Sequence, residues 1–339
     1  MNHEATKDSI EIQSSPIQSL DEIQKPVASE LAEFKIHFRK HLDTDVFLLN
    51  RIIRYLMRTK GKQMRPLLVL LSARLCGGIN ERSHVAATMI ELLHTATLIH
   101  DDVVDNADQR RGFMSINKIW KNKASVLFGD FLLAKGLLVA VQSGEFEFLR
   151  VLSSAVQRMS EGELRQLKAS KLQNMTEEKY YQIISEKTAS LLIACCECGA
   201  ISASANEDTR ERMRHIGHHI GIAFQIRDDL LDYSSLDSGK SAGNDIIERK
   251  ITLPFIAALD TSSFIERRRM RWLYRKKGKN TRQVEEIRAF VKKNGGIDYA
   301  RKKMEAHAGQ ALVLLNEFPE SETRELMSEF IRFVIYRKK

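Results

Sequence analysis

Two short segments constrain this chain more than anything else in it. In "LIHDDVVDNADQRRG" (98–112) and "FQIRDDLLDY" (224–233) the spacing Asp-Asp-x-x-Asp follows directly on an apolar run. Read as helix, Asp101 and Asp105 are four residues apart and share a face, with Asp102 one residue's rotation away; Asp228, Asp229 and Asp232 repeat the arrangement. One acidic triplet at a helix end is commonplace, whereas two, each on an otherwise apolar segment, ask for a reason. Carboxylates clustered at the inner end of apolar helices repel one another unless a cation lies between them. Oxygen-only donors favour Mg²⁺, with Mn²⁺ as a substitute, over Zn²⁺. Mg²⁺ keeps waters and bridges a few carboxylates to substrate phosphates, so two facing triplets suggest a metal-bridged diphosphate.

Basic residues suggest a second anion site of different chemistry. Lys62 and Arg65 in "KGKQMRP", His94, and the pair Arg110 and Arg111 can hold phosphate through charge-assisted hydrogen bonds. A diphosphate neutralised by metals is activated to leave, because the charge that develops on departure is stabilised. One held only by side chains is anchored without being activated. Three of these residues also have a structural reading: Lys62 and Arg65 suit a helix start with Pro66 in its first turn, and His94 suits an apolar core.

The chain length of 339 residues allows one large helical domain or two of ordinary size. Its 17 glycines and 5 prolines amount to roughly half the usual share, and the longer apolar patterns repeat at helical spacing. An all-α fold is expected, with a polar, flexible tail over 1–30 and one continuous helical domain over 31–339. Helix boundaries are expected at "CGGIN" (76–80), at "QSGEFE" (142–147), and at Thr176, an N-cap followed by Glu177 and Glu178. The polar stretch 232–250 reads as a loop that closes over a site.

The N-terminus has neither the pattern of a secretory signal nor that of an Arg-rich transit peptide. The apolar runs "LLVLLSARL" and "FLLAKGLLVAV", broken by Arg74 and Lys135, fall short of the ~20 residues that span a bilayer. A soluble, cytoplasmic protein is expected. Cys76, Cys195, Cys196 and Cys198 read as small buried thiols, since Cys195 and Cys198 lack a second ligand pair. His215, His218 and His219 offer metal-ligand chemistry without a nearby partner in sequence. "RRRMRWLYRKKGKNTR" (267–282) holds nine basic residues, a pattern of a solvated helix face, or of contact with nucleic acid or an anionic membrane.

Taken in order from about residue 55 to 260, "GKQMRP", "ELLHTATLIHDDVVDNADQRRG", "EKTASL", "GIAFQIRDDLLDY" and "GKSAGNDIIERKITLP" resemble the trans-isoprenyl diphosphate synthases, specifically their long-chain polyprenyl (octaprenyl-type) branch. The resemblance implies an all-α bundle around a central active-site cavity and a homodimer. It also implies Mg²⁺-dependent head-to-tail addition of isopentenyl diphosphate to an allylic diphosphate, farnesyl or geranylgeranyl. By the same resemblance Asp101, Asp102 and Asp105, with Asp228, Asp229 and Asp232 facing them, hold metal. Lys62, Arg65, His94 and Arg111 hold isopentenyl diphosphate, and Arg110, Lys187, Thr188, Gln225 and Lys240 contact the allylic substrate or the developing cation.

Two departures from the family pattern are visible, Lys60 before the "GK" pair and Arg249 in place of a common glycine. Thr97 and Ala96, four and five residues before Asp101, lie one helical turn deeper and are small, leaving room for a growing chain. In the resembling family this pattern accompanies products of about C35 to C50, with a quinone side chain as destination. Rival readings are a shorter-product geranylgeranyl synthase, a non-catalytic partner subunit, a phosphohydrolase built on His100–Asp101, and nucleic-acid binding, which rests on charge alone.

Overall fold

The computed structural model describes residues 19–58, 61–110, 112–172, 176–233, 243–250 and 252–337. Lys60, Arg111, Lys240 and residues 234–242 of the expected closing loop lie outside them. Among the described residues the helices are α1 (Leu20–Gln24), α2 (Ala28–His41), α3 (Phe47–Arg58), α4 (Met64–Cys76), α5 (Glu81–Val104), α6 (Ile116–Gln142), α7 (Phe146–Leu172), α8 (Glu177–Ile184), α9 (Ser190–Ser202), α10 (Glu207–Asp232), α11 (Asn244–Glu248), α12 (Leu253–Thr261), α13 (Phe264–Arg275), α14 (Thr281–Lys293), α15 (Gly296–Asn316) and α16 (Glu322–Tyr336). A π-helical turn, Ser185–Ala189, joins α8 to α9. The strands β1 (Gln109–Arg110) and β2 (Phe113–Met114) form an antiparallel hairpin after α5.

Local chemistry explains the boundaries. Asn80 caps α5 in a reciprocal pairing with Ser83, directly after the break at 76–80. The segment 142–147 separates α6 from α7, and the Thr176 hydroxyl accepts from the Lys179 N–H at the head of α8. The helical domain starts earlier than expected: α1 begins at Leu20, inside the stretch read as tail. Leu20, Ile23 and Val27, spaced three and four apart, form a buried apolar face that the polar residues around them mask in the sequence.

The bundle is organised around α9. This helix is apolar all round and belongs in the interior; twelve of its thirteen residues are buried. It lies against α4, α5, α7 and α10. Gly199 makes the contact with α4 possible: a Cβ there would sit 2.6 Å from the Val69 carbonyl oxygen and 2.6 Å from the Ser72 Cβ. On the other side Gly221 of α10 passes as closely over Ala189. Cys195, Cys196 and Cys198 are fully buried here, and burial pushes the Cys196 thiol up to about 12 and the other two well above their ordinary value.

The longest apolar element corrects a second expectation. Lys135 does not interrupt α6, because its ammonium leaves the helix surface to donate to the Asp43 carbonyl at 3.0 Å. The 27-residue helix is long and apolar enough, by length and composition, to cross a bilayer, although part of it is buried against the bundle, chiefly on α5. A smaller second core joins Tyr233 and Ile246 to Phe255, Met270, Tyr274, Val284 and Ile287. It holds the segment 243–250 from behind. The Tyr274 hydroxyl donates to the Lys250 carbonyl, Lys279 Nζ to that of Ile246 at 2.8 Å, and Arg288 to that of Asp232 at 2.6 Å.

Replacing Gly199 with Ala should lower stability by about 1–3 kcal/mol, because overpacking against the α4 backbone outweighs alanine's better helix propensity. Urea denaturation checks this; an unchanged or raised midpoint would show that α4 and α9 can separate without loss.

Candidate active site

The last turn of α5 supplies the first triplet. Asp101 and Asp105 face solvent, whereas Asp102 is buried. The β1–β2 hairpin folds Arg110 back onto Asp102, where its Nε donates to Oδ1 at 2.8 Å and a second guanidinium nitrogen lies at 2.7 Å. Partial burial raises the Asp101 carboxyl, while the positive charge of Lys187 opposes the shift and Glu163 and Asp105 add to it. Lys187 rides on the π-helical turn, pairs with Glu163 of α7 and donates to Gln166 at 3.4 Å.

The last turns of α10 supply the second triplet. Asp229 is buried and engaged on both oxygens: the Tyr180 hydroxyl donates to Oδ2 at 2.6 Å and the Gln225 amide to Oδ1 at 2.9 Å. Thr188 extends the chain by donating to the Gln225 carbonyl oxygen at 2.7 Å. Burial pushes the Asp229 carboxyl up to about 7 despite these two donors, and Asp245 pushes in the same direction. Asp228 is half-buried. Burial raises it, and the guanidinium of Arg337, stacked on the Phe224 ring at 4.0 Å, pairs with it and opposes the rise. Asp232 accepts from the Gly243 N–H at 2.9 Å on Oδ1, while its buried Oδ2 has no hydrogen-bond partner among the described residues.

Basic residues join the two triplets. Lys187, Thr188, Gln225 and Asp229 line a small cavity together with Asp245 and Lys250. Burial disfavours the charge on Lys250, but Glu248, Asp245 and Asp105 outweigh it and hold the ammonium charged. Asp245 itself is pushed up to about 6 by burial, with Asp232 adding to the shift. A larger cavity, about 940 Å³, runs beside the first triplet and is lined by Lys62, Gln63, His94, Asp102, Arg110 and Phe333 among others. Lys62 Nζ lies 5.8 Å from the Phe333 ring centroid. Arg65 acts electrostatically on Asp228 and so belongs to the same neighbourhood.

The donor set suits a hard divalent cation. All the acidic side chains offer oxygen, burial raises the carboxyls of Asp101, Asp228, Asp229, Asp232 and Asp245, and Asp232 Oδ2 is a buried acceptor without a donor among the described residues. Among the described residues no three of these side chains converge into a ready-made cage. That pattern fits an ion that keeps waters and takes its remaining oxygens from phosphate.

Several expectations are redistributed. Ala96 is fully buried in the main core and Thr97 half-buried, its hydroxyl donating to the His94 carbonyl at 2.9 Å; neither lines the two cavities above. His100 turns away from Asp101 onto α6, where it lies over Gly129 and 3.4 Å from Asp130, which removes the geometry a His–Asp hydrolase needs. His219 meets His307 of α15, with Nδ1 atoms 3.0 Å apart, and His218 edge to face at 5.4 Å, but among the described residues these histidines do not form a metal-ligand group. Sequence reasoning missed Tyr180, Glu163, Gln166 and Arg337, which carry no motif, and also Asp245 and Lys250, which stand inside the quoted "GNDIIERK".

The raised Asp229 carboxyl gives a pH prediction. Unfolded, the group ionises near 4; folded, near 7. Between those values the native state holds the extra proton, so the stability of the metal-free protein should fall as pH rises through that window and level off above it. Asp229→Asn should flatten the slope between pH 4 and 7, as read from thermal melts in chelator. A slope identical to that of the parent would mean that Asp229 is ionised throughout.

The polyprenyl synthetase family matches residues 46–291 of this chain. An all-trans-nonaprenyl-diphosphate synthase (geranyl-diphosphate specific) from Rhodobacter capsulatus is 37% identical over 93% of this chain and 97% of its own length. The octaprenyl diphosphate synthase of Escherichia coli K12 is 32% identical over 94% and 99%. A polyprenyl synthase from Caulobacter crescentus CB15, crystallised with calcium and isoprenyl diphosphate, superposes with a TM-score of 0.88 at 32% identity, covering 96% of this chain and all of that one. With the fold, the two acidic triplets and the basic cavity in agreement, the chain belongs to the polyprenyl synthetase family of prenyltransferases.

Proposed function

We propose that this chain is an all-trans polyprenyl diphosphate synthase that adds isopentenyl diphosphate units to farnesyl or geranylgeranyl diphosphate. Its product is a long chain of about C35 to C50, destined for a quinone side chain. The observation that carries this reading is the pair of intact acidic triplets at the ends of α5 and α10, brought within reach of the same two lysines, Lys187 and Lys250. The high identity to nonaprenyl and octaprenyl synthases over nearly the whole chain supports the product class.

Mg²⁺, when bound, neutralises the allylic diphosphate and makes it a better leaving group. Asp101, Asp102 and Asp105 would hold it from α5, and Asp228 and Asp232 from α10. Asp229 adds its charge to the same site and braces Gln225 and Tyr180. Lys62, Arg65 and His94, with Arg111, anchor isopentenyl diphosphate beside Phe333. Arg110, Lys187 and Lys240 take the allylic diphosphate, and the oxygens of Thr188 and Gln225 face the carbon that becomes positive as the carbon–oxygen bond breaks.

Two copies would pair through α6 and α7. Leu127, Leu138 and Val141 recur at helical spacing on the outer face of α6 and are at least half exposed, as are Leu137 and, on α7, Phe146 and Leu164. An apolar surface this continuous is unusual on a monomer and suits a two-fold, self-complementary interface. We read the enzyme as cytoplasmic.

The test is incubation of the purified protein with labelled isopentenyl diphosphate, an allylic primer and Mg²⁺, followed by chain-length analysis. A Mg²⁺-dependent long product, lost by roughly two orders of magnitude or more in Asp101→Ala, is expected. No elongation with any primer would leave a partner subunit as the reading. Ala96→Tyr should shorten the product; unchanged length would mean that the growing chain does not pass α5 at this point. Leu127→Arg combined with Leu138→Arg should yield a monomer by light scattering, and a persisting dimer would place the interface elsewhere.

A further inference from the structure

The basic segment 267–282 divides, once folded, into cations that hold the protein together and cations that do not. Arg267 caps the end of α12, donating to the carbonyls of Leu259, Asp260 and Ser262 at 2.7–3.3 Å. Arg269 pairs with Glu286, and Lys279 is buried against Ile246. Arg268, Arg271, Lys276, Lys277 and Arg282 are exposed and have no ion-pair partner among the described residues. The inward face of α13, Met270, Leu273 and Tyr274, is locked into the second core, where Tyr274 stacks on Phe255 at 4.0 Å. The outward face is therefore presented on a rigid element.

That outward face is not merely charged. Phe264, Ile265 and Trp272 are 76%, 80% and 66% exposed. Ile265, Arg268 and Trp272 stand at i, i+3 and i+7 on one stripe, and Phe264 and Arg271 flank it. A solvated helix gains nothing from three large apolar side chains in water, and while bases could stack on Phe264 or Trp272, a nucleic-acid surface has no place for the aliphatic Ile265, the most exposed of the three. An anionic bilayer accommodates both kinds of residue. Its acyl boundary takes the apolar side chains, its headgroups take the indole ring, and its phosphates take the arginines.

We propose that α13 is a membrane-docking surface that seats the enzyme on anionic phospholipid, with Phe264, Ile265 and Trp272 inserted at the interface and Arg268, Arg271, Lys276 and Lys277 against the headgroups. The biological sense of such a seat rests on the long-chain reading above, since a polyprenyl product partitions into lipid. The binding itself does not, so it is measured without substrate.

The experiment is co-sedimentation of the full-length protein with vesicles of phosphatidylcholine alone and of phosphatidylcholine with a third phosphatidylglycerol, near physiological salt. Binding to the anionic vesicles and not to the neutral ones is expected. Arg268→Gln with Arg271→Gln should weaken it about 25-fold, equivalent to ~2 kcal/mol for two charges. Ile265→Ser with Trp272→Ser, which leaves every charge in place, should weaken it at least tenfold. Both variants alter only exposed positions, and thermal melts confirm that they fold. No sedimentation of the parent protein, or binding that both variants retain, overturns the proposal. Tighter binding to an RNA oligonucleotide than to vesicles, lost in the arginine variant and kept in the apolar one, assigns the face to nucleic acid and overturns it as well. Prenyl transfer by the same preparation without vesicles separates a failed surface from a failed enzyme assignment.

Discussion

Placing Asp229 in a buried position beside Asp228, Asp232 and Asp245 makes every negative charge there expensive, and the neighbouring elements meet that cost from several directions. Tyr180 arrives from α8 and Gln225 from the preceding turn of α10. Arg337 comes from just beyond α16, and the backbone N–H of Gly243 from just before α11. Across the cleft the first triplet is treated the same way, with a hairpin that exists to bring Arg110 back onto Asp102. Much of the fold around the two triplets can be understood as scaffolding that keeps these carboxylates buried and partnered at once.

That scaffolding depends in turn on α9. Helices approach it tightly where a side chain is missing, at Gly199 against α4 and at Gly217 of α10 over Leu192 and Ile193. The same region contains the π-helical turn that aims Lys187 and Thr188 into the cleft. Close packing on one side of this turn and a functional irregularity on the other are two results of one local sequence, "EKTASL".

What could be read from the sequence was local. The Asp-Asp-x-x-Asp spacing, the break at 76–80 and the cap at Thr176 each depend on residues within one or two helical turns, and each is where expected. What escaped was long-range or masked. Tyr180 lies 49 positions from Asp229, Arg337 lies 109 from Asp228, and His307 lies 88 from His219. No pattern in a single sequence couples such distances. Leu20, Ile23 and Val27 were hidden by polar neighbours. The nine cations of 267–282 looked like one feature but serve three, a helix cap, a buried strut and an exposed face.

The cysteines of α9 have a practical consequence. Cys195, Cys196 and Cys198 sit on the helix against which α4, α5, α7 and α10 pack, and burial suppresses their thiolates. Alkylating reagents attack thiolate and need access. The rate at which these three sulfurs react therefore measures how often the middle of the molecule opens, which makes them native probes of core breathing. Ligands that draw α5 and α10 together should slow that labelling without touching a cysteine.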